Sequence, residues 1–434
     1  MDKMADVLGR AGAWCGQNKY LSAIKNAFQN FMPLTIAGAI GVLWCNVLVN
    51  ESTGLGIFFK PIMALEFLNP AFQAVNFCTI SCITVGITLG IAQEIGVWNM
   101  GAEKAGYIPG LVGLAAWLSV TNTSHMVDGA KEAFTGIAGN ELGATGLFTG
   151  MIIGVLSVEL FCFFEKQDAL KIKMPEQVPP GVARAFEVLV PATITLIITA
   201  CIGSACYNLT GLYLNDVIKN GIQGPLGAVG ATIPGVMIIY LVIMLFWLVG
   251  IHGNNMLSAV KEALFTPLAL ENVEKFNKGE KPTNIINMYA LQMWGEFGGS
   301  GVTIGLVIAI MIFGKREDNK AIASLSLVPG LFNINETVTF GIPMVLNPIL
   351  GIPFVVAPLV TIIIGYVLTV IGFCPVACLT VPWTTPPIVF GFLACGANVM
   401  GAVTQAILIV VSTVIYVPFL IAYEKYQNKQ AAEA

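Results

Sequence analysis

Residues 333–343 read NINETVTFGIP, a stretch in which Glu336 stands among asparagines and is followed by a chain-breaking glycine and proline. The chain is apolar before this stretch, over residues 325–329, and after it, over residues 344–348. A charge in apolar surroundings is costly and is usually kept for a function. This apolar–polar–apolar pattern predicts a hairpin that enters a membrane and returns, with Glu336 near its tip.

The composition places that hairpin in a polytopic membrane protein. The chain has 434 residues, of which 56% are hydrophobic and 11% charged, whereas a soluble domain has about 25% charged residues. The mean hydropathy is +0.80, and the 46 glycines suit close packing of helices in lipid. Long β alternation is absent, and a spanning segment must satisfy its own backbone hydrogen bonds, so the spans are expected to be helices. At about 20 residues per span the chain has room for roughly ten.

Apolar runs of nearly helical length give the expected crossings. They lie near residues 31–49, 73–92, 108–120, 146–164, 188–207, 233–251, 296–313, 350–373 and 401–421. Shorter segments at 321–345 and 384–400 are broken by proline and glycine, which is typical of re-entrant or discontinuous helices.

Lysine and arginine orient the chain. They cluster in residues 1–25, 165–185, 261–281 and 314–320, whereas the loops 51–70 and 121–145 hold one lysine each. The positive-inside rule then places both termini and the 165–185 loop in the cytoplasm. Simple counting of crossings fails between 233 and 313, where either a second interrupted segment lies or the 261–281 loop is external. Paired broken segments indicate a transport site.

A charged, proline-containing stretch at 165–187 divides the chain. We expect one domain over 1–187, with bland apolar helices suited to scaffolding or self-association, and a second over 188–434. The intramembrane charges and polar motifs concentrate in the second.

A second polar motif, GIHGNN at 250–255, follows the apolar run 236–249. The His252 imidazole can donate and accept hydrogen bonds and titrates near neutral pH. The bland alternative is a polar helix cap at the lipid boundary.

Three kinds of side chain suit a sugar ligand. A carboxylate such as Glu336 accepts hydrogen bonds from hydroxyls, and the asparagines, Asn254 among them, bind hydroxyls in both directions. Trp383 lies in an irregular polar stretch, PWTTPP, and an aromatic face packs against a sugar ring. The bland alternatives are a helix-end partner for Glu336 and an interfacial anchor for Trp383.

Several functions are excluded or disfavoured by what the sequence lacks. No GxxxxGK[ST] loop is present, so no ATP site is visible, and no basic pool suits nucleic acid. The ten cysteines lie almost all in apolar runs, without a CxxC, and there are only two histidines. We therefore expect neither a metal nor a cofactor, and the cysteines are interpreted as small buried hydrophobes.

The motifs resemble a known family. The stretch 335–343 with Asn347-Pro348 is similar to the NEPxxFGxPxxxNP-type signature of the membrane subunit (component IIC) of phosphotransferase-system sugar transporters, in its lactose/cellobiose/chitobiose branch. The motifs at 250–255 and 298–301, the amphipathic stretch 179–186 and the opening 28–34 match the same branch in order. Thr337 departs from the pattern, since the family often has proline there.

The resemblance implies an all-α protein, a homodimer with ten transmembrane helices per subunit, and two re-entrant hairpins in a C-terminal sugar domain. It implies that His252 and Glu336 hydrogen-bond the sugar near the hydroxyl to be phosphorylated, with Asn333, Asn335, Asn254 and Trp383 as further contacts. Phosphorylation at C6 would come from a phosphocysteine on a IIB partner, because nothing in this sequence resembles a IIB domain. The chain would then bind a disaccharide of the chitobiose, cellobiose or lactose type, present its C6 hydroxyl to phosphorylated IIB, and carry no phosphorylated residue itself. Glu336 would accept the hydroxyl proton, or both side chains would only position the sugar.

Two other functions remain open from sequence. A proton-coupled secondary sugar transporter would use Glu336 or His252 as the proton carrier. A sugar sensor on the same fold would bind without transport.

Overall fold

The computed structural model describes residues 17–51, 56, 59–125, 134–175, 177–225, 230–342 and 344–433. The helices are α1 (Lys19–Leu43), α2 (Asn69–Cys78), α3 (Ile83–Met100), α4 (Ala102–Ala105), α5 (Ile108–Val120), α6 (Gly139–Leu142), α7 (Ala144–Glu165), α8 (Pro180–Thr210), α9 (Leu214–Ile218), α10 (Ile233–Leu248), α11 (Gly253–Met256), α12 (Ser258–Asn277), α13 (Met288–Gly295), α14 (Ile304–Phe313), α15 (Glu317–Leu331), α16 (Glu336–Gly341), α17 (Gly351–Val370), α18 (Val389–Ala394) and α19 (Val399–Glu433).

Short non-α segments complete the regular structure of the described residues. The 3-10 segments are Lys60–Leu68, Ile80–Cys82 and Asp168–Leu170, and the π segments are Trp44–Leu48 and Lys219–Gln223. Strands β1 (Ser124–His125) and β2 (Phe134–Thr135) pair antiparallel, with Ser124 opposite Thr135.

The long apolar helices have the lengths that a membrane requires. In the described part of the chain six helical stretches are long and apolar enough to cross: Lys19–Leu48, Lys60–Met100, Thr145–Glu165, Pro180–Thr210, Gly351–Val370 and Val399–Gln430. Shorter apolar helices are Ile108–Val120, Ile233–Leu248 and Ile304–Phe313. The predicted class, an all-α polytopic membrane protein, is confirmed.

The chain forms two compact units that alternate along the sequence. Unit A comprises residues 17–38 and 74–228, and unit B comprises residues 39–73 and 229–434, apart from the undescribed positions. The domain boundary between residues 187 and 188 stays a prediction.

Glycine allows the helices of unit A to pack closely. A Cβ on Gly113 of α5 would lie 2.3 Å from the Ala92 Cβ of α3, and one on Gly150 of α7 would lie 2.2 Å from the Thr88 hydroxyl oxygen. Helices in lipid associate through small residues at such contacts.

Unit B has a core of large aromatic side chains. Trp294, Tyr240, Phe354 and Tyr416 are all at least 99% buried. A Cβ on Gly365 of α17 would lie 2.4 Å from the Trp294 ring, so only glycine fits at this contact between α13 and α17. This rigid core supports the interrupted segments.

One predicted crossing differs from the structure. The run 296–313 was expected to be one helix, but α14 begins only at Ile304. Residues Gly298, Gly299, Gly301 and Val302 all have positive φ, between 49° and 88°, which a right-handed helix does not tolerate. The segment is therefore interrupted, which is one of the two alternatives that the failed count of crossings left open.

Residues 384–400, which were also predicted to be broken, are held by the buried side-chain amide of Gln405. The Gln405 side chain of α19 accepts hydrogen bonds from the backbone N–H groups of Ile388 and Gly391, each at 2.8 Å, and donates to the Met293 carbonyl at 3.2 Å. Non-helical backbone at membrane depth requires such partners. The short helix α18 is thereby held against α13 and α19.

Candidate functional site

A tight turn at the end of α10 positions His252. Gly250 has φ +80°, and His252 is the N-cap of α11, where its Nδ1 accepts a hydrogen bond from the Asn255 backbone N–H at 3.3 Å. A Cβ on Gly253 would lie 2.0 Å from the Ile243 carbonyl oxygen, so the turn packs directly on α10. Because Nδ1 is an acceptor, a neutral imidazole carries its proton on Nε2.

The hairpin predicted at 333–343 turns between α15 and α16. Asn333 adopts φ +63°, and Glu336 begins α16 with its side chain 47% exposed. The returning limb is joined to α10 by a hydrogen bond from the Leu346 N–H to the Leu248 carbonyl at 2.8 Å. This bond aligns the hairpin with the His252 turn.

The two turns bring the predicted pair together. His252 Nε2 lies 3.8 Å from Glu336 Oε1, and the His252 side chain is 36% exposed. The Trp247 ring lies 4.5 Å from the imidazole, centroid to centroid. An acid and an imidazole from segments 84 positions apart (336 minus 252) therefore share one partly exposed site.

A third segment, residues 298–301, connects these turns, and we call it the glycine-rich turn. The Gly298 N–H donates to Asn333 Oδ1 at 2.6 Å, and Asn335 Nδ2 donates to the Ser300 carbonyl at 2.8 Å. Asn254 Nδ2 donates to the Ser300 hydroxyl at 3.2 Å. The glycine-rich turn thus fixes both the hairpin and the His252 turn.

The predicted sugar contacts occupy different surroundings. Asn335 is 3% exposed, and Asn333 Nδ2 donates to the carbonyls of Trp383 and, at 3.1 Å, of Thr385. Asn333 therefore ties the stretch that carries Trp383 to the hairpin, while the Trp383 side chain is 45% exposed. Direct sugar contacts by Asn333, Asn335, Asn254 and Trp383 stay predictions.

Two buried polar atoms beside His252 lack a hydrogen-bond partner among the described residues. They are Trp247 Nε1, a donor, and Asn254 Oδ1, an acceptor. Buried polar groups are nearly always paired in native proteins. A polyhydroxylated ligand offers both the acceptor and the donor that these atoms lack.

Sequence reasoning missed a charged group behind the site. Lys261 of α12 is 94% buried and forms an ion pair with Glu296, which also accepts a hydrogen bond from the Tyr240 hydroxyl at 2.7 Å. Glu296 lies two residues before the glycine-rich turn. The available signal for Lys261 was a lysine nine positions after His252 in a sequence that has few charges.

Comparison with known proteins decides the family. Residues 25–358 match the family described as "Phosphotransferase system, EIIC". This chain belongs to the EIIC family. The predicted resemblance is confirmed.

EIIC relatives match this chain over nearly its whole length. The oligo-beta-mannoside-specific EIIC component of Bacillus subtilis is 32% identical, with 98% of this chain and 94% of the relative covered. The cellobiose-specific EIIC component of Lactococcus lactis is 30% identical, with 98% of each chain covered. The crystal structure of ChbC, the IIC component of the N,N'-diacetylchitobiose-specific phosphotransferase system, matches with a TM-score of 0.88 at 30% identity, covering 97% of each chain. This EIIC chain is accordingly a multi-pass membrane protein with the IIC transporter fold.

Proposed function

We propose that this EIIC chain binds a β-linked disaccharide at the His252–Glu336 site and presents the C6 hydroxyl of the sugar to a phosphorylated IIB protein. The observation that carries the proposal is the 3.8 Å separation of His252 Nε2 and Glu336 Oε1. The names of the relatives, which refer to β-mannosides, cellobiose and diacetylchitobiose, support this substrate class.

The separation of the two atoms suits one bridging hydroxyl. A hydroxyl oxygen has hydrogen-bond partners at about 2.8 Å, so a single oxygen fits between two atoms 3.8 Å apart. The imidazole Nε2–H would donate to that oxygen, and the Glu336 carboxylate would accept its proton.

The proposed chemistry uses this arrangement. The hydroxyl oxygen forms a bond to phosphorus as the bond between sulfur and phosphorus of a IIB phosphocysteine breaks, and the proton passes to Glu336. The hydrogen bond from His252 orients the nucleophile. The sugar leaves as its 6-phosphate, and the IIB thiolate is regenerated.

Substitution of Glu336 by glutamine tests the proposal. Removing the charge while keeping the shape should lower sugar uptake about tenfold or more, because a hydrogen bond to a charged group contributes about 1.5–3 kcal/mol. Glu317→Gln is the matched control, since Glu317 begins α15 with its side chain 87% exposed. Uptake at the normal rate in Glu336→Gln would overturn the role of this carboxylate.

The same variant separates proton transfer from positioning alone. If Glu336 accepts the proton, Glu336→Gln retains part of the sugar affinity and loses phosphorylation by phospho-IIB. Equal losses in both would leave Glu336 with a positioning role. His252→Ala should weaken binding, and an unchanged affinity would leave His252 as a helix cap only.

A binding screen identifies the sugar, and an uptake assay tests the transport mode. Purified protein is titrated with cellobiose, N,N'-diacetylchitobiose and lactose. Uptake into vesicles is then measured with and without phospho-IIB. Uptake that follows the proton gradient without IIB would instead indicate a proton-coupled transporter.

A further inference from the structure

An ion pair lies behind the sugar site and joins three helices of unit B. Lys261 comes from α12, Glu296 follows α13, and Tyr240 comes from α10. The Tyr240 hydroxyl donates to Glu296 Oε1 at 2.7 Å, and Lys261 Nζ lies 5.6 Å from the centroid of the Tyr240 ring. Lys261 and Tyr240 are 6% and 1% exposed. Removal of the Glu296 charge would leave the buried Lys261 without its ion-pair partner, which is strongly unfavourable.

The ion pair adjoins the segment that fixes the site. The Glu296 carbonyl accepts the Gly299 N–H at 3.0 Å, and the next residues are the glycine-rich turn. The glycine-rich turn forms a hydrogen bond with Asn254, two residues after His252. It also forms hydrogen bonds with Asn333 and Asn335 of the hairpin that carries Glu336. A shift of Glu296 would therefore displace both the turn that carries His252 and the hairpin that carries Glu336.

The ion pair also sets the charge around the sugar site. The charged groups acting on His252 are Glu336 from the hairpin, and Glu296 and Lys261 from the pair. Glu262, the neighbour of Lys261, hydrogen-bonds Thr266 within α12 and interacts with Lys261 and Glu296. Loss of either member of the pair would leave an uncompensated charge close to the two groups that bind the sugar.

We infer that Lys261 and Glu296 are positioning residues for sugar binding, which hold the glycine-rich turn in place and neutralise each other behind the His252–Glu336 pair. This inference rests on the proposed function. Nothing in it requires either residue to touch the sugar.

The test compares Lys261→Met, Glu296→Gln and the double variant. Sugar affinity is measured with cellobiose and N,N'-diacetylchitobiose across a range of pH. Each single variant should lose affinity about tenfold or more, and the double variant should recover part of that loss, because it leaves no charge unpaired.

The pH profile distinguishes positioning from simple structural support. Lys261→Met removes a positive charge, so protonation of a nearby acid or imidazole becomes easier. The profile of sugar affinity against pH should therefore move to higher pH. Glu296→Gln removes a negative charge and should move the profile to lower pH. The double variant should return it towards that of the unchanged protein.

An exposed ion pair at the end of α12 provides the control. Lys278 and Glu274 are paired at 2.6 Å with side chains 58% and 45% exposed, so Lys278→Met and Glu274→Gln should change neither affinity nor profile. If Lys261→Met does not fold, Glu296→Gln still tests the inference, since it keeps the side-chain volume.

The outcomes separate this inference from the proposed function. Sugar binding by the unchanged protein together with unmoved pH profiles, or with shifts in the same direction for both single variants, overturns the inference alone. Failure of the unchanged protein to bind any of the disaccharides overturns the proposed function, and the inference with it.

Discussion

Gly299 stands where a side chain would collide with the hairpin. Its φ is +88°, and a Cβ there would lie 2.6 Å from the Asn335 Cβ. Gly279 has a similar φ of +73°, but a Cβ there would meet nothing within 4 Å. The two positions therefore separate backbone strain from the close approach of the glycine-rich turn.

Gly299→Ala should lower both stability and sugar affinity, whereas Gly279→Ala should lower stability alone. A non-glycine residue in the left-handed region costs about 1–3 kcal/mol, and at Gly299 the collision with Asn335 adds to that cost. Thermal unfolding and sugar titration of both variants check this. Equal effects of the two substitutions on sugar affinity would contradict it.

Both the oxygen and the nitrogen of the Asn333 side-chain amide form hydrogen bonds within the protein. Asn333→Ala should destabilise unit B by about 1–3 kcal/mol, because the Gly298 N–H and two backbone carbonyls lose a partner. Thermal unfolding of the sugar-free protein should show this loss. A loss seen only in sugar affinity would instead indicate a direct contact with the ligand.

The sequence singled out the two side chains that the structure brings together, His252 and Glu336, and was less informative about how they are held. Glu336 and His252 stand out because a polar group in an apolar run has few bland explanations. The hydrogen bonds of Asn333 and Asn335 go to backbone carbonyls and N–H groups of distant segments, and no local sequence pattern reveals such partners. The pairing of Lys261 with Glu296 is non-local in the same way.

Among the helices, α19 and α15 are joined by one buried carboxylate. Glu424 of α19 is 5% exposed and accepts hydrogen bonds from the Lys315 N–H at 2.8 Å, the Arg316 N–H at 3.3 Å and Asn319 Nδ2 at 3.1 Å. Lys315 and Arg316 directly precede α15, and Asn319 lies in its first turn. Glu424 supplies acceptors at the start of α15, the helix that leads into the hairpin.

Glu424→Gln should therefore destabilise unit B by about 1–3 kcal/mol, because the amide replaces an acceptor with a donor facing backbone N–H groups. Thermal unfolding measures the loss. Glu317→Gln, at an 87% exposed position of α15, serves as the control. An unchanged melting temperature in Glu424→Gln would show that α15 does not depend on this carboxylate.

Apolar length located most of the helices but not their interruptions. Helix α17 over 351–370 lies within the expected 350–373, because an uninterrupted apolar run leaves the backbone few alternatives. In the run 296–313 the first eight residues form a turn instead, since four of them adopt positive φ. The glycines of the sequence allow such a turn, but contacts with distant residues stabilise it. The Ser412 hydroxyl donates a hydrogen bond to the Val302 carbonyl, and the Tyr416 hydroxyl donates one to the Gly301 carbonyl.

For the whole molecule, the distribution of positive charge predicts the orientation in the membrane. The clusters at 165–185 and 314–320, and both termini, should face the cytoplasm. A fluorescent protein fused after residue 434 should fluoresce, and alkaline phosphatase fused after residue 122 should be active outside the cytoplasm. The reversed pattern would contradict the orientation.

The hydrogen bond from Leu346 to Leu248 and the bonds around the glycine-rich turn have a consequence for release of the sugar. The imidazole and the carboxylate cannot move apart independently, because separating them would break hydrogen bonds between the segments that carry them. A bound molecule is therefore expected to travel together with its intact binding site, and the barrier to exchange should arise from the surroundings through which that site moves.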